Sequence, residues 1–508
     1  MFEWVRKGVS YINDKLNKPL EKRSDNLNWL TMEVTEWLAS KERHDQIAGD
    51  DYYNSKHAIM NYKRMVIGKD GKETEVTNLP NKRIIDNQYK KLVNQKTNHI
   101  VGKPFTVDSN DGDYVKVLEK NYFNKRFYKL LKKVVRDAQN GGISYIYPYY
   151  ENNILKFRHL KSYNVKVYWK DDDHDEIDFF WHYYKEDVRL PNGQKDLIEH
   201  LEVYTADGVS YYIRKGEALF YDYSKGENAY NNYLTFTQTN SDGAEHTEKL
   251  TFERFPLVPV RVDETEKPLL NRVKSLQDGI NTILSTFTNN MLEDPRNTIM
   301  VLVNYDGQDL GEFREKLALY GAVKVRSREG GGGDVKTLSV EVNAENYKLI
   351  VELFKKAIIQ NGGGVDVTEL KNGNPNQMNI QSMYYDLELD TNDLETELHC
   401  AFEQLLWFIN FDMGYKGVEK GVSAEEVNII FNRDMMQDET TIIKNIMELR
   451  GLISDEDCIK LLPFGDAQQL IENMKKQKAE EQAEQERMYF NNPKPNLTPN
   501  KDGDALNE

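Results

Sequence analysis

The sequence predicts an α+β fold, a tyrosine-rich antiparallel sheet set between helical segments, and three observations predict it. From Ile143 to about Arg261 the apolar period is two, in the short runs ISYIYPYY, VKVYW, IDFFWHYY, LEVYT, VSYYIR and ALFYDYS, which Asn, Asp and Gly turns separate. On both sides of that region the period is helical, most strictly from Leu269 to Met291. The chain has 508 residues, length enough for two to four domains. Its two cysteines, Cys400 and Cys458, match no disulfide, zinc, haem or thioredoxin-like spacing. Apolar packing therefore has to hold the fold, and no metal or cofactor is expected.

Charge and hydropathy narrow the function classes. Lys and Arg number 67 and Asp and Glu 83, for a formal charge of −16. That balance argues against a protein that coats DNA through a basic face, while permitting one that surrounds DNA without gripping it. The N-terminal MFEWVRKGVSYINDKLNKPLEKR has no apolar core of signal-peptide length, and no run reaches the length of a bilayer span. A soluble protein made inside the cell, with no membrane partner, is the expectation.

The elements follow in chain order. The first hundred residues read as helical: Ile85, Tyr89, Leu92, Val93, Lys96 and Ile100 trace one face, Gly102 is placed to cap, and Pro104 stops the helix. A second helix spans Lys125 to Gln139 and ends at Gly141 and Gly142. Its Lys125, Arg126, Lys129, Lys132, Lys133 and Arg136 surround the stripe Phe127, Leu130, Leu131, Val134 and Val135, as a solvated face on a packed helix does. Within the strand region, KDDDHDEID from Lys170 to Asp178 lacks the sixth-position glycine and distal glutamate of a calcium loop, so it reads as the turn between two strands.

After Pro268 comes a helix whose Leu269, Val273, Leu276, Ile280, Leu284, Phe287 and Met291 form a narrow apolar seam. Asn271, Ser275, Thr282, Ser285, Thr286 and Asn289 give it an opposite face suited to water or a polymer. From Thr298 to about Val340 lies a small α/β interruption: strand TIMVLVNY, helix GEFREKLALY, strands AVKVR and VKTLSV, and a glycine run that lacks the Lys and Ser/Thr of a phosphate loop. Helix resumes at Asn343 with Tyr347, Ile350, Phe354 and Ile358 on one face. NGGGVDVTELKNGNPNQMN interrupts it, and the longest helical pattern follows, from Met378 to Met413, with Met383, Leu387, Leu394, Leu398, Phe402, Leu405 and Ile409. Val427 to Phe464 reads as a further helical unit in which Ser454 and Asp457 form a capping-box-like start. The segment from Ile471 to Phe490 reads as a charged helix with little core, and the last residues as a disordered tail.

No nucleophile elbow, Walker loop or HExxH is present. Three segments instead carry a family resemblance: NQYKKLVNQKTNHIVGKPFTV from Asn87 to Val107, VYWKDDDHDEIDFFWHYY, and VNIIFNRDMMQDE followed by MELRGLISDEDCIKLLPF. In this order and spacing the chain resembles the portal proteins of long-tailed bacteriophages from about Ile84 to Leu470. The resemblance implies a portal fold with a helical stem and long wing helix, an antiparallel β wing, a small α/β clip insert and a helical crown. It divides the chain into wing (1–265), first stem helix (266–297), clip (298–342), second stem helix (343–360), channel loop (361–377), long wing helix (378–413), crown (414–478) and a charged helix end with tail (479–508).

The resemblance also implies roles and partners. Asn361, Gly362, Gly363, Gly364, Asp366, Glu369, Lys371, Asn372, Asn374, Asn376 and Gln377 would face DNA in a mobile loop. With Lys371 as its one base, such a loop would touch a sliding backbone weakly and without sequence preference. Leu269, Val273, Leu276, Ile280, Leu284, Phe287, Met291, Tyr347 and Phe354 would pack between neighbours of a closed homo-oligomeric ring, a dodecamer. Arg314, Lys316, Lys324, Arg326 and Arg328 would dock the terminase large subunit and then the head-completion or adaptor protein. Major capsid and scaffolding proteins would be further partners, and the product would sit at the portal vertex of the virion after synthesis in the host cytoplasm. No chemistry of its own is implied. Two other readings remain: a metal-dependent nuclease built on Asp171, Asp173, His174 and Asp175, and a ring adaptor that does not meet DNA.

Overall fold

The structure, a computed structural model, describes residues 26–67, 72–77, 79–189, 193–239, 245–250, 252–292, 299–303, 327–328, 331–332, 334–338, 344–366, 377–416, 426–433, 439–450, 452–462 and 467–490. Two units are present: residues 1–368 with 383–434, and residues 369–382 with 435–508.

In the first unit, α1 (Leu27–Leu38) and α2 (Lys41–Tyr53) start at Asn26 and Ser40, whose side chains accept the Trp29 and Arg43 amides. Helix α3 (Gln88–Val101) is capped by Asn87, and α4 (Lys125–Gly141) by Asn124. Gly142 follows α4 at φ +80, the left-handed conformation that favours glycine at a helix end. Between α3 and α4 lies strand β1 (Thr106–Ser109).

The tyrosine-rich region is antiparallel sheet, as its period predicts. β2 (Ile143–Glu151) and β3 (Ile154–Leu160) pair with each other. β4 (Val165–Trp169), β5 (Ile177–Arg189), β6 (Lys195–Tyr204), β7 (Val209–Lys215) and β8 (Ala218–Tyr221) form a consecutive meander. Period-two alternation gives the meander two different faces. One buries Phe179, Trp181, Tyr183, Leu201, Val203 and Tyr212 beneath Leu30, Val34 and Trp37 of α1. Trp37 stands edge-on to Trp181 and Tyr183, with centroids 5.9 and 6.1 Å away. The other packs Val165, Val167, Phe180, Tyr204 and Val209 against Ile143, Tyr145 and Leu160. β9 (Val258–Arg261) completes the smaller sheet at the free edge of β2.

Three further helices, the last of them from Met383 onward, complete the apolar plan of this unit. They are α5 (Leu270–Leu292), α6 (Ala344–Asn361) and α7 (Gln377–Tyr415). Leu394, Leu398, Phe402, Leu405 and Ile409 of α7 share the largest core with Phe127, Leu131, Val134 and Val135 of α4. Lys125, Arg126, Lys129 and Lys133 of α4 are exposed, the solvated face its sequence predicts. One expectation is corrected here. Val427–Ile430, read as the start of a helical unit, is strand β10, antiparallel to β1, and buries Ile429 and Phe431 in the largest core. Its β-branched pairs suit a pleated edge better than a helix surface.

Between α5 and α6, Ile299–Val303 pairs antiparallel with Asp334–Leu338, two of the strands expected in the insert. The expected helix GEFREKLALY lies outside the described residues. The second unit contains α8 (Glu439–Leu449), α9 (Asp455–Lys460) and α10 (Ala467–Phe490). Ser454 caps α9 by accepting the Asp457 amide at 3.1 Å, and Lys478 of α10 pairs with Asp455 at 2.7 Å.

Candidate functional site

The segments expected to form stem and channel loop meet at one place, where α3, α5, α6 and α7 converge. Helices α5 and α6 lie antiparallel: Phe287 meets Tyr347 with centroids 4.8 Å apart, and Gly279 meets Phe354. A Cβ at Gly279 would come within 2.6 Å of the Phe354 ring, so glycine sets how closely the helices approach.

The seam residues divide between two environments. Leu269, Val273 and Ile280 are buried within the chain, packed with Tyr52, Tyr89, Leu92, Val93 and Ile358. They have no surface left for a neighbouring subunit, which corrects the expectation for these three. Leu276, Leu284, Phe287, Tyr347 and Phe354 are half-buried, and Met291 is 68% exposed. The exposed apolar face lies on α6 instead, where Leu349, Ile350 and Leu353 are 63%, 41% and 64% exposed.

The polar face of α5 also differs from its sequence reading. Ser275, Thr282 and Thr286 are exposed, but Gln277, Asn281, Ser285 and Asn289 are buried beneath the segment from Lys82 to Asn87 and the first turn of α3. Asn289 accepts the Lys82 amide at 2.6 Å and donates to the Lys82 carbonyl at 3.1 Å. Ser285 accepts from the Ile84 amide at 2.9 Å, and Asn281 accepts from that of Asp86 at 3.1 Å. Gln277 donates to the Asp86 carbonyl and accepts the Tyr89 amide, at 2.8 and 2.9 Å. Four residues of helix rise about 6 Å and two residues of extended chain rise about 6.6 Å, so the two periods match rung for rung. The helix side chains thereby supply hydrogen bonds that a neighbouring strand would otherwise provide.

The start of the expected loop is packed. Asn361 is the last residue of α6, and Gly363 follows at φ +60, with the Gly364 amide donating to the Ile359 carbonyl at 2.9 Å, a helix-ending turn. Gly362 and Gly364 press against Leu92 of α3; a Cβ on Gly364 would lie 2.6 Å from a Leu92 methyl. Val365 is buried, and Gln95 both accepts its amide at 3.1 Å and donates to its carbonyl at 2.9 Å. At Gly362 and Gly364 glycine serves close approach to Leu92. Asp366 is half-buried. Glu369, Lys371, Asn372, Asn374 and Asn376 lie outside the described residues, and Gln377 opens α7.

Beneath Gly363 sits a charge cluster. Lys96, only 4% exposed, is bonded to Asp390 of α7; the same carboxylate accepts from Arg272 of α5 at 2.9 Å, and Arg272 also reaches Asp263 at 3.3 Å. Burial pulls the Lys96 ammonium below its ordinary range, against the opposing attraction of Asp390. Neither this cluster nor the ladder on α5 was singled out from sequence. The available signal was the i, i+4 repeat of Gln277, Asn281, Ser285 and Asn289, and a lysine on the apolar face of α3.

The remaining expected residues are placed elsewhere. Arg314, Lys316, Lys324 and Arg326 are outside the described residues, and Arg328 is described only as backbone paired with Gly331. KDDDHDEID is the turn joining β4 to β5. Asp171 accepts the Asp175 and Glu176 amides at 3.0 and 3.2 Å, while His174 stacks on Trp169 and pairs with Glu266 at 2.9 Å. Asp171 and His174 are thus engaged in shaping the turn. Among the described residues no group of His, Cys, Asp and Glu has metal-binding geometry, and no helix is long and apolar enough to cross a membrane.

Comparison with known proteins bears on most of the chain. The portal protein of Bacillus phage SPP1 is 24% identical over 426 residues, covering 82% of this chain and 80% of that one. The portal protein of Clostridium phage phiCD119 is 23% identical over 438 residues, covering 84% and 90%. A chain from the neck of an empty gene transfer agent particle aligns in structure with a TM-score of 0.39 at 13% identity, over 74% of this chain and 90% of that one. The family model described as phage portal protein, SPP1 Gp6-like, matches residues 39–485, and the chain belongs to that family.

Proposed function

We propose that this protein is the repeating subunit of a ring at a capsid vertex, through which double-stranded DNA passes during packaging and ejection. The observation that carries the proposal is the inverted α5–α6 pair, which buries a polar ladder and leaves Leu349, Ile350 and Leu353 outside. An apolar stripe on a helix in water calls for a partner. A repeated copy of the same chain, joined head to side, supplies one and closes by rotation.

In this reading α5 and α6 are the stem, residues 298–342 the clip, α7 the long wing helix, and residues 414–478 the crown. The segment 361–377 would enter the channel beyond its packed first turn, with Asp366, Glu369 and Lys371 giving it little net attraction for phosphate. The clip would receive the terminase large subunit and later the head-completion or adaptor protein. The subunit performs no chemistry itself; a separate motor would supply the energy for DNA movement.

The test is Leu353→Asp, read by electron microscopy and light scattering. Because Leu353 is exposed within one chain, the subunit should stay folded while rings with a duplex-sized hole disappear. Normal rings from this variant would overturn the assignment of this face to the interface.

A further inference from the structure

We propose that Lys96 is the positioning residue of the channel loop, holding the loop's first turn in register with the long helix α7. The inference rests on the reading of residues 361–377 as the channel segment, but its geometry involves only Gly362 to Val365. Each of these residues meets α3 or α7. Leu92 fills the space beside Gly362 and Gly364, Gln95 brackets Val365, and the Lys96–Asp390 pair lies under Gly363. A Cβ at Gly363 would stand 2.6 Å from an Asp390 oxygen and 3.1 Å from the Lys96 nitrogen, and the residue's φ of +60 is itself unfavourable to any side chain.

The chemistry explains why an ion pair serves here. A buried pair adds little net stability over apolar packing of the same shape, because both groups lose water. Its directionality is what distinguishes it: the ammonium needs an oxygen at hydrogen-bond distance, and Asp390 is the oxygen bonded to it. Asp390 is also bonded to Arg272 of α5, so a displacement of α7 reaches α3, α5 and the loop's first turn through one carboxylate. Lys96 thus makes the loop's point of departure depend on where α7 sits.

Lys96→Met keeps an unbranched apolar stem, one atom shorter, and removes the charge, leaving Asp390 with Arg272. Amide hydrogen exchange of residues 362–366 in the assembled protein should rise about tenfold, while the amides of β5 and β6 exchange as before. Gly363→Ala should raise the same amides by crowding Asp390 from the other side. Unchanged exchange at 362–366 in a folded Lys96→Met protein would overturn the positioning role. DNA packaging by the same variants separates this inference from the reading it rests on. Faster exchange with impaired packaging supports both; faster exchange with normal packaging keeps Lys96 as the anchor and removes the loop from the channel.

Discussion

The β4–β8 meander and the α5–α6 pair are built on opposite rules. The sheet buries the rings at its centre: Phe180 and Trp181, side by side on β5 and pointing to opposite faces, are both fully buried, while the edge strand β8 leaves Phe220 and Tyr221 exposed. The helix pair hides amides and a hydroxyl beneath Lys82 to Tyr89 and leaves leucines in water. The centre of the first is complete as a single chain. The second is satisfied inwardly in its hydrogen bonds and unsatisfied outwardly in its apolar surface, the pattern expected of a component rather than a finished body. Apolar substitutions should therefore act on stability in one region and on assembly in the other.

The largest effect should come from the sheet. Trp181→Ala removes a ring that Trp37 and Tyr168 contact edge-on and at a tilt, and should cost about 3–5 kcal/mol of folding stability. Denaturant unfolding of the isolated subunit measures it. Leu353→Asp should leave the same unfolding curve within about 0.5 kcal/mol. Two similar losses would dissolve the distinction between the regions.

Next is the ladder. Asn281→Leu, close in volume, would leave the Asp86 amide and the ring of His57 without the partner each has at 3.1 and 2.8 Å. About 1–3 kcal/mol is the expected cost for groups orphaned in the interior. A neutral outcome would mean that Lys82 to Tyr89 is held by apolar contacts alone, and α5–α6 would then be an ordinary helical hairpin.

These two regions were also unequally legible in the sequence. The meander is legible because strand propensity is local, in short β-branched and aromatic runs bounded by turn residues, and Gly141 and Gly142 mark the helix end before it. Helix α7 was read from its apolar spacing for the same reason. The ladder escaped because Gln, Asn and Ser on a helix score as solvated face, and what makes them interior is a segment about 200 residues away in the chain. Gly362 to Gly364 escaped similarly: glycine allows mobility and close approach alike, and only the position of Leu92 decides between them. Val427–Ile430 became strand because β1 offered it an edge.

Helix α2 touches both regions, which allows a smaller and more selective test. At one side Tyr52 donates to Asp278 of α5 at 2.6 Å; at the other, Asp50 accepts from Lys161 at 2.8 Å and from the Tyr163 hydroxyl at 2.9 Å, at the entry to β4. Burial alone would raise the Asp50 carboxyl, but the bonds from Lys161 and Tyr163 outweigh it and hold the group below its ordinary value. A depressed native value means that the unfolded chain binds the proton more tightly. The contribution is therefore fully present above the unfolded value, about 3.9, and is lost as the pH falls through the native one. Asp50→Asn should lower the denaturation midpoint at pH 7, and the gap to the wild-type protein should narrow at pH 3. A gap independent of pH would show that Asp50 acts by shape. A narrowing gap accompanied by earlier loss of the α5–α6 amides' exchange protection would show that α2 carries the stability of the sheet to the helix pair, so the two rules would operate within one cooperative body.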